Sequence, residues 1–442
     1  MTNITFKTNH AKAMITTNNL VNFDLKDLVI DSNGSFEEDK NINSLLLDYF
    51  IENRDIENLY ISKRKNNTHT IGCNYMVSLS GSYNLDIIPF TLVNNTCRHS
   101  SPTYIVYNLD IPDLSPISCI ENTGNGPLPA CFYFTGYYDR SIKDSTFIGN
   151  KNYHISGNGA IQIESENNLY VRNCSFLDNS ADFAPAIYFK GKNLYVDSSK
   201  FESNESKLGS GGAIYFILGS ANNKGAIIIS SSSFRNNSAQ TNGGGIYIEA
   251  KSTVPLGLDL IISQTNFTEN YADYGSALYL DRSVSLSQSS TIITSKFKEN
   301  NSHKSGTIAL YFYSGILSFK SCEFSENSSN FGAVFHIDIN DDTDELHSKA
   351  IIELSTFRNN TGSSIINLDN QNRNSTVVTK NCLFEFNKGI IASLNFDYFS
   401  DSGSVFQYNL LVLGPAFSFR TQLFYMLVHN FLIIQAKNMV EL

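Results

Sequence analysis

Ser199-Lys200-Phe201-Glu202-Ser203-Asn204, followed seven residues later by Gly211-Gly212-Ala213-Ile214-Tyr215, is the stretch whose reading decides the fold. Its first half is one copy of a spacing that returns ten times. Phe precedes Asn by three residues at Phe147/Asn150, Phe176/Asn179, Phe201/Asn204, Phe234/Asn237 and Phe267/Asn270. The series continues at Phe297/Asn300, Phe324/Asn327, Phe357/Asn360, Phe384/Asn387 and Phe406/Asn409. Two residues before each Phe stands a small side chain: Ser145, Cys174, Ser199, Ser232, Thr265, Ser295, Cys322, Ser355, Cys382 and Ser404. The Phe-to-Phe intervals run from 22 to 33 residues. Self-similarity at such a period is the signature of a stacked repeat.

The second half of the quoted stretch also recurs, as a small residue, an aliphatic and then usually an aromatic. Copies are Ala186-Ile187-Tyr188, Gly245-Ile246-Tyr247, Ala277-Leu278-Tyr279, Ala309-Leu310-Tyr311 and Ala333-Val334-Phe335. Alternating runs such as Leu194-Tyr195-Val196 precede each Phe. Period-2 apolar runs with turn residues between them are strands. Units this short cannot bury an apolar face alone, so they must stack on their neighbours. The expected fold is all-β: a right-handed parallel β-helix of about ten regular coils, each about 4.8 Å above the last. Phe points inward and stacks on its equivalents, and the small residue leaves room for the ring. Asn marks the turn, where it is expected to take a left-handed conformation and to ladder its amide from coil to coil. Gly before the Ala-Ile-Tyr block allows a sharp bend. A propeller blade needs about 40–50 residues, more than these units contain, and a leucine-rich repeat would need a Leu spacing that is absent.

Composition agrees. Of 442 residues, 41% are hydrophobic and 17% charged, so Asn, Ser, Gly and Thr carry much of the polarity. That mix suits strands and turns. Net charge is −10 and the longest basic run is Lys63-Arg64-Lys65, which argues against a nucleic-acid partner. Seven cysteines are present. Cys73, Cys97, Cys119 and Cys131 are compatible with two disulfides in an oxidising compartment or with four free thiols. Cys174, Cys322 and Cys382 fall beside the stacked Phe, where thiols are inert.

The chain divides into an N-terminal cap with irregular early coils (1–130), the repeat region (131–410) and a C-terminal cap or apolar tail (411–442). Within the first part, Leu46, Leu47, Phe50 and Ile51 have helical spacing. Pro112, Pro116, Pro127 and Pro129 mark a looped passage. Leu423, Phe424, Leu427, Val428, Phe431 and Ile434 match a helical face. That stretch is shorter than the roughly 20 residues of a membrane span, so a capping helix or closing strands is expected there, with membrane association through this segment as the alternative. Met1–Asn19 shows no apolar leader core. Coil-to-coil length varies at two turns, with Gly219–Lys224, Ala250–Gly257 and Asp338–Lys349 the longest insertions. Solenoids often place binding surfaces on such insertions.

The pairing of Phe201/Asn204 with Gly211-Gly212-Ala213-Ile214, nearly repeated by Phe234/Asn237 with Gly243-Gly244-Gly245-Ile246, resembles the polymorphic outer-membrane protein repeat. That repeat defines chlamydial surface autotransporters, and similar repeats occur in large protist surface families. The resemblance covers roughly 130–410 and implies a pectin-lyase-like β-helix at the cell surface or outside it, tied to adhesion. The chain lacks room for the translocator barrel of the bacterial proteins.

Catalysis on this fold would need paired carboxylates, or a carboxylate, Ca²⁺ and Arg cluster, on one outer face. No polygalacturonase or pectate lyase signature is present. Asp341, Asp342, Asp344 and Glu345, with Asp338 nearby and His336 and His347 flanking, form the best acidic group. They lack EF-hand spacing, so a solvated loop is expected rather than a metal site. Asp178, Asp182 and Lys190 have no evident partner set, and His303 has no visible acid partner. The expected function is a non-catalytic adhesion or display scaffold, without cofactor, for a host protein or glycan. A carbohydrate-active lyase or glycosidase, or a truncated member without a role, is the alternative.

Overall fold

The computed structural model describes residues 116–219, 224–252, 255–311, 314–338, 349–369, 376–395 and 398–410. Before and after these it describes the backbone of separate strands, among them Leu45–Asp48, Arg54–Ser62, Phe90–Val93, Tyr104–Tyr107, Phe417–Phe419 and Tyr425–Leu427. Every regular element among the described residues is a strand, and every strand pairing is parallel. The fold is a β-solenoid. The chain divides into two compact units, Met1–Ile217 and Leu218–Leu442.

A regular turn of the chain contributes one strand to each of two parallel sheets and two short strands to a third. In the first unit the Phe strands are Thr146–Ile148, Ser175–Leu177 and Lys200–Glu202, with Phe147, Phe176 and Phe201 in register. Their rings lie 4.6 and 4.9 Å apart and within 4° of parallel. In the second unit Phe234, Phe267, Phe297, Phe324, Phe357, Phe384 and Phe406 form one column, with neighbouring rings 4.3–5.1 Å apart. That spacing is the strand-to-strand distance of a sheet. The first six of these rings are fully buried and Phe406 is 5% exposed; each is worth about 1.5–3 kcal/mol by burial alone.

The short Phe strand is bounded by two corners. At the far corner the Asn side chains do ladder. In the first unit Asn150 donates its Nδ2 to Asn179 Oδ1 at 3.0 Å, and Asn179 donates in turn to Asn204 Oδ1 at 2.9 Å. In the second unit Asn237 Nδ2 donates to Asn270 Oδ1 at 3.0 Å and Asn270 Nδ2 to Asn300 Oδ1 at 2.9 Å. The Asn270 main-chain N–H donates to that same Asn300 oxygen at 3.0 Å, and Asn270 Nδ2 also reaches the Phe234 carbonyl at 2.9 Å. The ladder runs on through Asn327 and Asn360 to Asn387, whose Nδ2 donates to Asn409 Oδ1 at 2.9 Å. All of these side chains are buried except Asn409, which is half-buried in the last described coil.

The expected left-handed conformation is corrected at all ten corners. None of Asn150, Asn179, Asn204, Asn237, Asn270, Asn300, Asn327, Asn360, Asn387 and Asn409 has positive φ. The left-handed residue is the one before each: Gly149, Asp178, Ser203, Asn236, Glu269, Glu299, Glu326, Asn359, Phe386 and Tyr408, with φ of 51–64°. The turn is imposed one position earlier so that the Asn can point into the stack. At the near corner the small residue does more than make room. Ser295 Oγ donates to the Ile293 carbonyl at 3.0 Å and accepts the Thr265 N–H at 3.3 Å. Ser, Thr or Cys is required there for a second hydrogen-bonded ladder.

The Gly-Gly-small sequence also has a direct cause. Gly243 has φ +66°, and a Cβ on Gly244 would sit 2.3 Å from the Tyr271 carbonyl oxygen. A Cβ on Gly245 would sit 2.5 Å from the Ala277 carbonyl oxygen of the next coil and 3.3 Å from the Phe267 ring.

Two triplets are displaced from their assigned register. Tyr279 aligns with Ala309, not Tyr311, and Leu278 aligns with Ile308 and then Phe335. Ala309-Leu310-Tyr311 is therefore two residues late, which preserves its outward face. Ala333-Val334-Phe335 is one residue early, which reverses it. Phe335 points inward, 5.0 Å from Phe324 and edge-on to it, and His336 takes the outward place.

The helical spacing at Leu46–Ile51 does not give a helix where the backbone is described. Leu45–Asp48 and Arg54–Ser62 are strands, pairing in parallel with Val77–Ser80 and Phe90–Val93. Short apolar runs satisfy both periods, and stacking selects the strand. Within Leu423–Ile434, Tyr425–Leu427 is a strand paired with Tyr398–Ser402; the rest lies outside the described residues. Through the proline-rich passage runs Ile117–Ile120, which adds a Phe-sheet strand that the Phe-x-x-Asn spacing missed. Cys119 occupies the Phe position and Asn122 the Asn position, donating to Asn150 Oδ1 at 2.9 Å. Cys119 is disulfide-bonded to Cys131, with Cα atoms 6.1 Å apart.

Candidate functional site

With one face of the strands buried wherever their side chains are described, ligand chemistry is left to the outward positions. In the second unit the outward row of the Ala-Ile-Tyr sheet is aromatic. Tyr247 stacks on Tyr279 at 5.3 Å, and Tyr279 packs at a tilt against Tyr311 at 5.2 Å. Tyr311 packs against His336 at 5.1 Å with the rings tilted, and His336 Nδ1 lies 3.0 Å from Asn367 Nδ2. Tyr311 leans into the column from two residues downstream and fills the space above Ala309. Burial within the stack raises the Tyr279 hydroxyl pKa strongly and pushes that of Tyr311 up to about 12.

Charged groups border this column. Arg282 lies over Tyr311, 5.6 Å from the ring centroid, and is ion-paired with Asp338. Tyr247 donates its hydroxyl proton to Glu249 Oε2 at 3.2 Å. His303 does have an acid partner: its Nδ1 lies 3.2 Å from Asp273 Oδ1, and Lys304 Nζ lies 2.8 Å from Asp273 Oδ2. The partner sits one coil away, 30 residues upstream, where only the register reveals it. Asp338 is the last described residue before the insertion to Lys349. The insertions Ala250–Gly257 and Asp338–Lys349 both connect this sheet to the next one, at the same corner. Asp341, Asp342, Asp344, Glu345 and His347 lie outside the described residues, as do the interiors of the insertions Gly219–Lys224 and Asp338–Lys349 and residues 253–254 of the third. Among the described residues, no group of three or more His, Cys, Asp or Glu side chains is placed to hold a metal ion, and no helix is long and apolar enough to cross a membrane.

In the first unit, a groove of about 280 Å³ opens on the third sheet. The strands Arg140–Lys143, Asn168–Arg172 and Asn193–Asp197 set two outward rows side by side. One is Ser141, Tyr170, Tyr195 and the other is Lys143, Arg172, Asp197. Tyr170 stacks on Tyr195 at 4.6 Å, within 7° of parallel. Arg172 Nε lies 3.4 Å from Asp197 Oδ2. Burial, with Asp139 nearby, raises the Tyr170 hydroxyl pKa. Of the acidic residues singled out from sequence in this unit, Asp178 is the left-handed corner residue before Asn179. Asp182 is buried and its carbonyl accepts the Gly209 N–H at 2.9 Å; it serves the backbone. Lys190 is exposed on a neighbouring strand.

Cys174, Cys322 and Cys382 are free and buried. Burial pushes the thiols of Cys174 and Cys322 up to about 11 and raises that of Cys382. Each occupies the near-corner place of a serine, with Cys174 Sγ donating to the Arg172 carbonyl at 3.2 Å. They are structural, as their register implied.

No family model, curated protein or solved structure matches the chain.

Proposed function

We propose that this protein is a non-catalytic binding scaffold, displayed at a cell surface or secreted, that engages a host protein or glycan through the outer aromatic column of its second unit and the insertions beside it. The observation that carries this reading is the Tyr247–Tyr279–Tyr311–His336 column standing at the corner where the chain tolerates its insertions. The column's half-buried middle members, Tyr279 and Tyr311, offer aromatic contact area held on a stiff parallel sheet at little entropic cost, while Tyr247 and His336 are buried at its ends. The charges next to them, Arg282 with Asp338 and Asp273 with Lys304, are matched to each other, which suits recognition better than proton transfer. The Phe-x-x-Asn and Gly-Gly-Ala-Ile resemblance supports membership of the polymorphic outer-membrane protein type. Parallel crossovers favour a right-handed winding. The Cys119–Cys131 bridge favours an oxidising, extracytoplasmic location.

The test is a glycan array and a host-cell binding assay with the full chain, alongside Tyr279→Ala and Tyr311→Ala. Binding that both substitutions weaken, with unchanged circular dichroism, supports the reading. Cleavage of an arrayed oligosaccharide, or binding indifferent to both substitutions, overturns it in favour of an enzyme or of another surface.

A further inference from the structure

The aromatic row in the first unit is interrupted, and the interruption has the size of a ring. Ser141 stands in register with Tyr170, as Tyr170 stands with Tyr195. One face of Tyr170 is covered by Tyr195 at 4.6 Å. The opposite face looks over Ser141, where a hydroxymethyl replaces the third ring of the ladder. Tyr170 is 37% exposed in consequence. The vacant rung is part of the groove of about 280 Å³, whose lining also includes Lys143, Arg172 and Asp197. That is near the lower end of small-ligand sites, which start at about 300 Å³, and too small for a folded partner's element.

We propose that this notch binds one pyranose ring of a glycan. A pyranose has an apolar C–H face and a polar rim. The bare face of Tyr170 meets the first, because an aromatic face carries negative potential and an apolar body. The rim falls over groups that exchange hydrogen bonds with hydroxyls. The Arg172–Asp197 pair offers donor and acceptor side by side, at 3.4 Å from one another. A flat aromatic ligand would use the Tyr170 face alone, whereas a pyranose engages both that face and the Arg172–Asp197 pair beside it. Lys143 and Arg172, adjacent in register, would further accommodate a carboxylate on the sugar.

The site is separate from the second-unit column, and its test keeps the two apart. The full chain is mixed in turn with D-galactose, N-acetyl-D-glucosamine and D-glucuronate, and saturation transfer from protein to sugar protons is read by NMR. Transfer to ring C–H protons of at least one sugar is expected. Transfer to glucuronate alone assigns an acidic glycan; transfer to either neutral sugar assigns recognition of the ring itself. Tyr170→Ala abolishes the signal and Tyr279→Ala, in the second unit, leaves it intact. Ser141→Tyr supplies the missing ring, so it abolishes binding while the fold and its thermal midpoint are retained. No transfer to any of the three sugars, or full transfer to folded Ser141→Tyr, overturns the proposal. Loss with Tyr279→Ala would instead locate sugar binding at the second-unit column.

Discussion

Asn300 and Asn327, 27 residues apart in sequence, are joined twice: Asn327 Oδ1 accepts both the Asn300 side-chain Nδ2 and the Asn300 main-chain N–H, each at 3.0 Å. Asn300 Oδ1 repeats the arrangement toward Asn270, and Asn300 Nδ2 also donates to the Phe267 carbonyl at 2.9 Å. One fully buried side chain thus satisfies two main-chain groups of the preceding coil and links to the side chain of the next. Asn300→Ala removes these partners without removing the groups they serve. Each buried polar group left unsatisfied costs about 1–3 kcal/mol, so a loss of roughly 2–4 kcal/mol is expected from the denaturant midpoint. Asn301→Ala, at the exposed next position, should change the midpoint by less than about 0.5 kcal/mol. Equal effects would show that the ladder does not stabilise the stack.

The disulfide Cys119–Cys131 stands where other coils place a ring against a small residue. Cys119 is in register with Phe147, and Cys131 precedes Phe132 as Ala160 precedes Ile161. Closing a loop of this length is worth roughly 3 kcal/mol. Reduction should therefore lower the thermal midpoint, and Cys119→Ala should lower it equally in oxidising buffer. The double substitution Cys119→Phe with Cys131→Ala restores the regular ring-against-alanine contact. Its midpoint should be insensitive to reductant and should exceed that of the reduced wild type. A double variant no more stable than Cys119→Ala would mean that this coil does not belong to the regular stack.

These two cases show what the sequence exposes and what it hides. The Phe and Asn periodicity was legible because every coil solves the same problem with the same side chains: a ring to fill the core and an amide to close the corner. Where the solution changes, pattern fails. The Cys119 coil was hidden because a covalent bond replaces the ring. Register at Ala309 and Phe335 was hidden because the triplets that match the pattern, Ala309-Leu310-Tyr311 and Ala333-Val334-Phe335, are not the ones that pair, and only pairing to Leu278 shows it. The left-handed residue before each Asn has no common chemistry; Glu299, Ser203, Phe386 and Tyr408 all adopt it, because the flanking ladders over-determine the backbone. The candidate sites were least legible. Tyr170 over Ser141 and His303 beside Asp273 are neighbours across coils, so their meeting depends on intervals that vary from 22 to 33 residues.

Alkaline pH should destabilise the protein through its buried thiols. Cys174 and Cys322 titrate near 9 when unfolded and at about 11 in the folded chain, chiefly through burial. Between those values the unfolded chain has released protons that the folded chain retains. The unfolded state binds fewer protons, so stability falls as pH rises. The contribution is intact below about pH 9 and declines toward pH 11, with Tyr311, up to about 12, extending the decline. Urea midpoints at pH 8 and pH 10.5 measure it. Cys174→Ser with Cys322→Ser, which keeps the near-corner hydrogen bonds, should flatten the fall. An unchanged slope in the double variant would assign the alkaline loss to other groups.

Sequons offer a last check, because the fold sorts them into two classes. Asn327 begins Asn327-Ser328-Ser329, yet it is fully buried, and both its amide hydrogens are committed, to the Phe297 carbonyl at 2.9 Å and to Asn360 Oδ1 at 3.0 Å. Attaching a glycan consumes one of those hydrogens and places a bulky polar group inside the stack. Asn204, in Asn204-Glu205-Ser206, is buried in the same way. Asn236, Asn266 and Asn359 also begin sequons, and they are exposed on the outer side of the Phe sheet. When the full chain is routed through a eukaryotic secretory pathway, the soluble secreted fraction should carry glycans at Asn236, Asn266 and Asn359 and none at Asn204 or Asn327. Site-occupancy mass spectrometry reads this directly. A glycan on Asn327 in cooperatively folding material is incompatible with the buried amide ladder, whereas one confined to aggregated material is what the ladder requires.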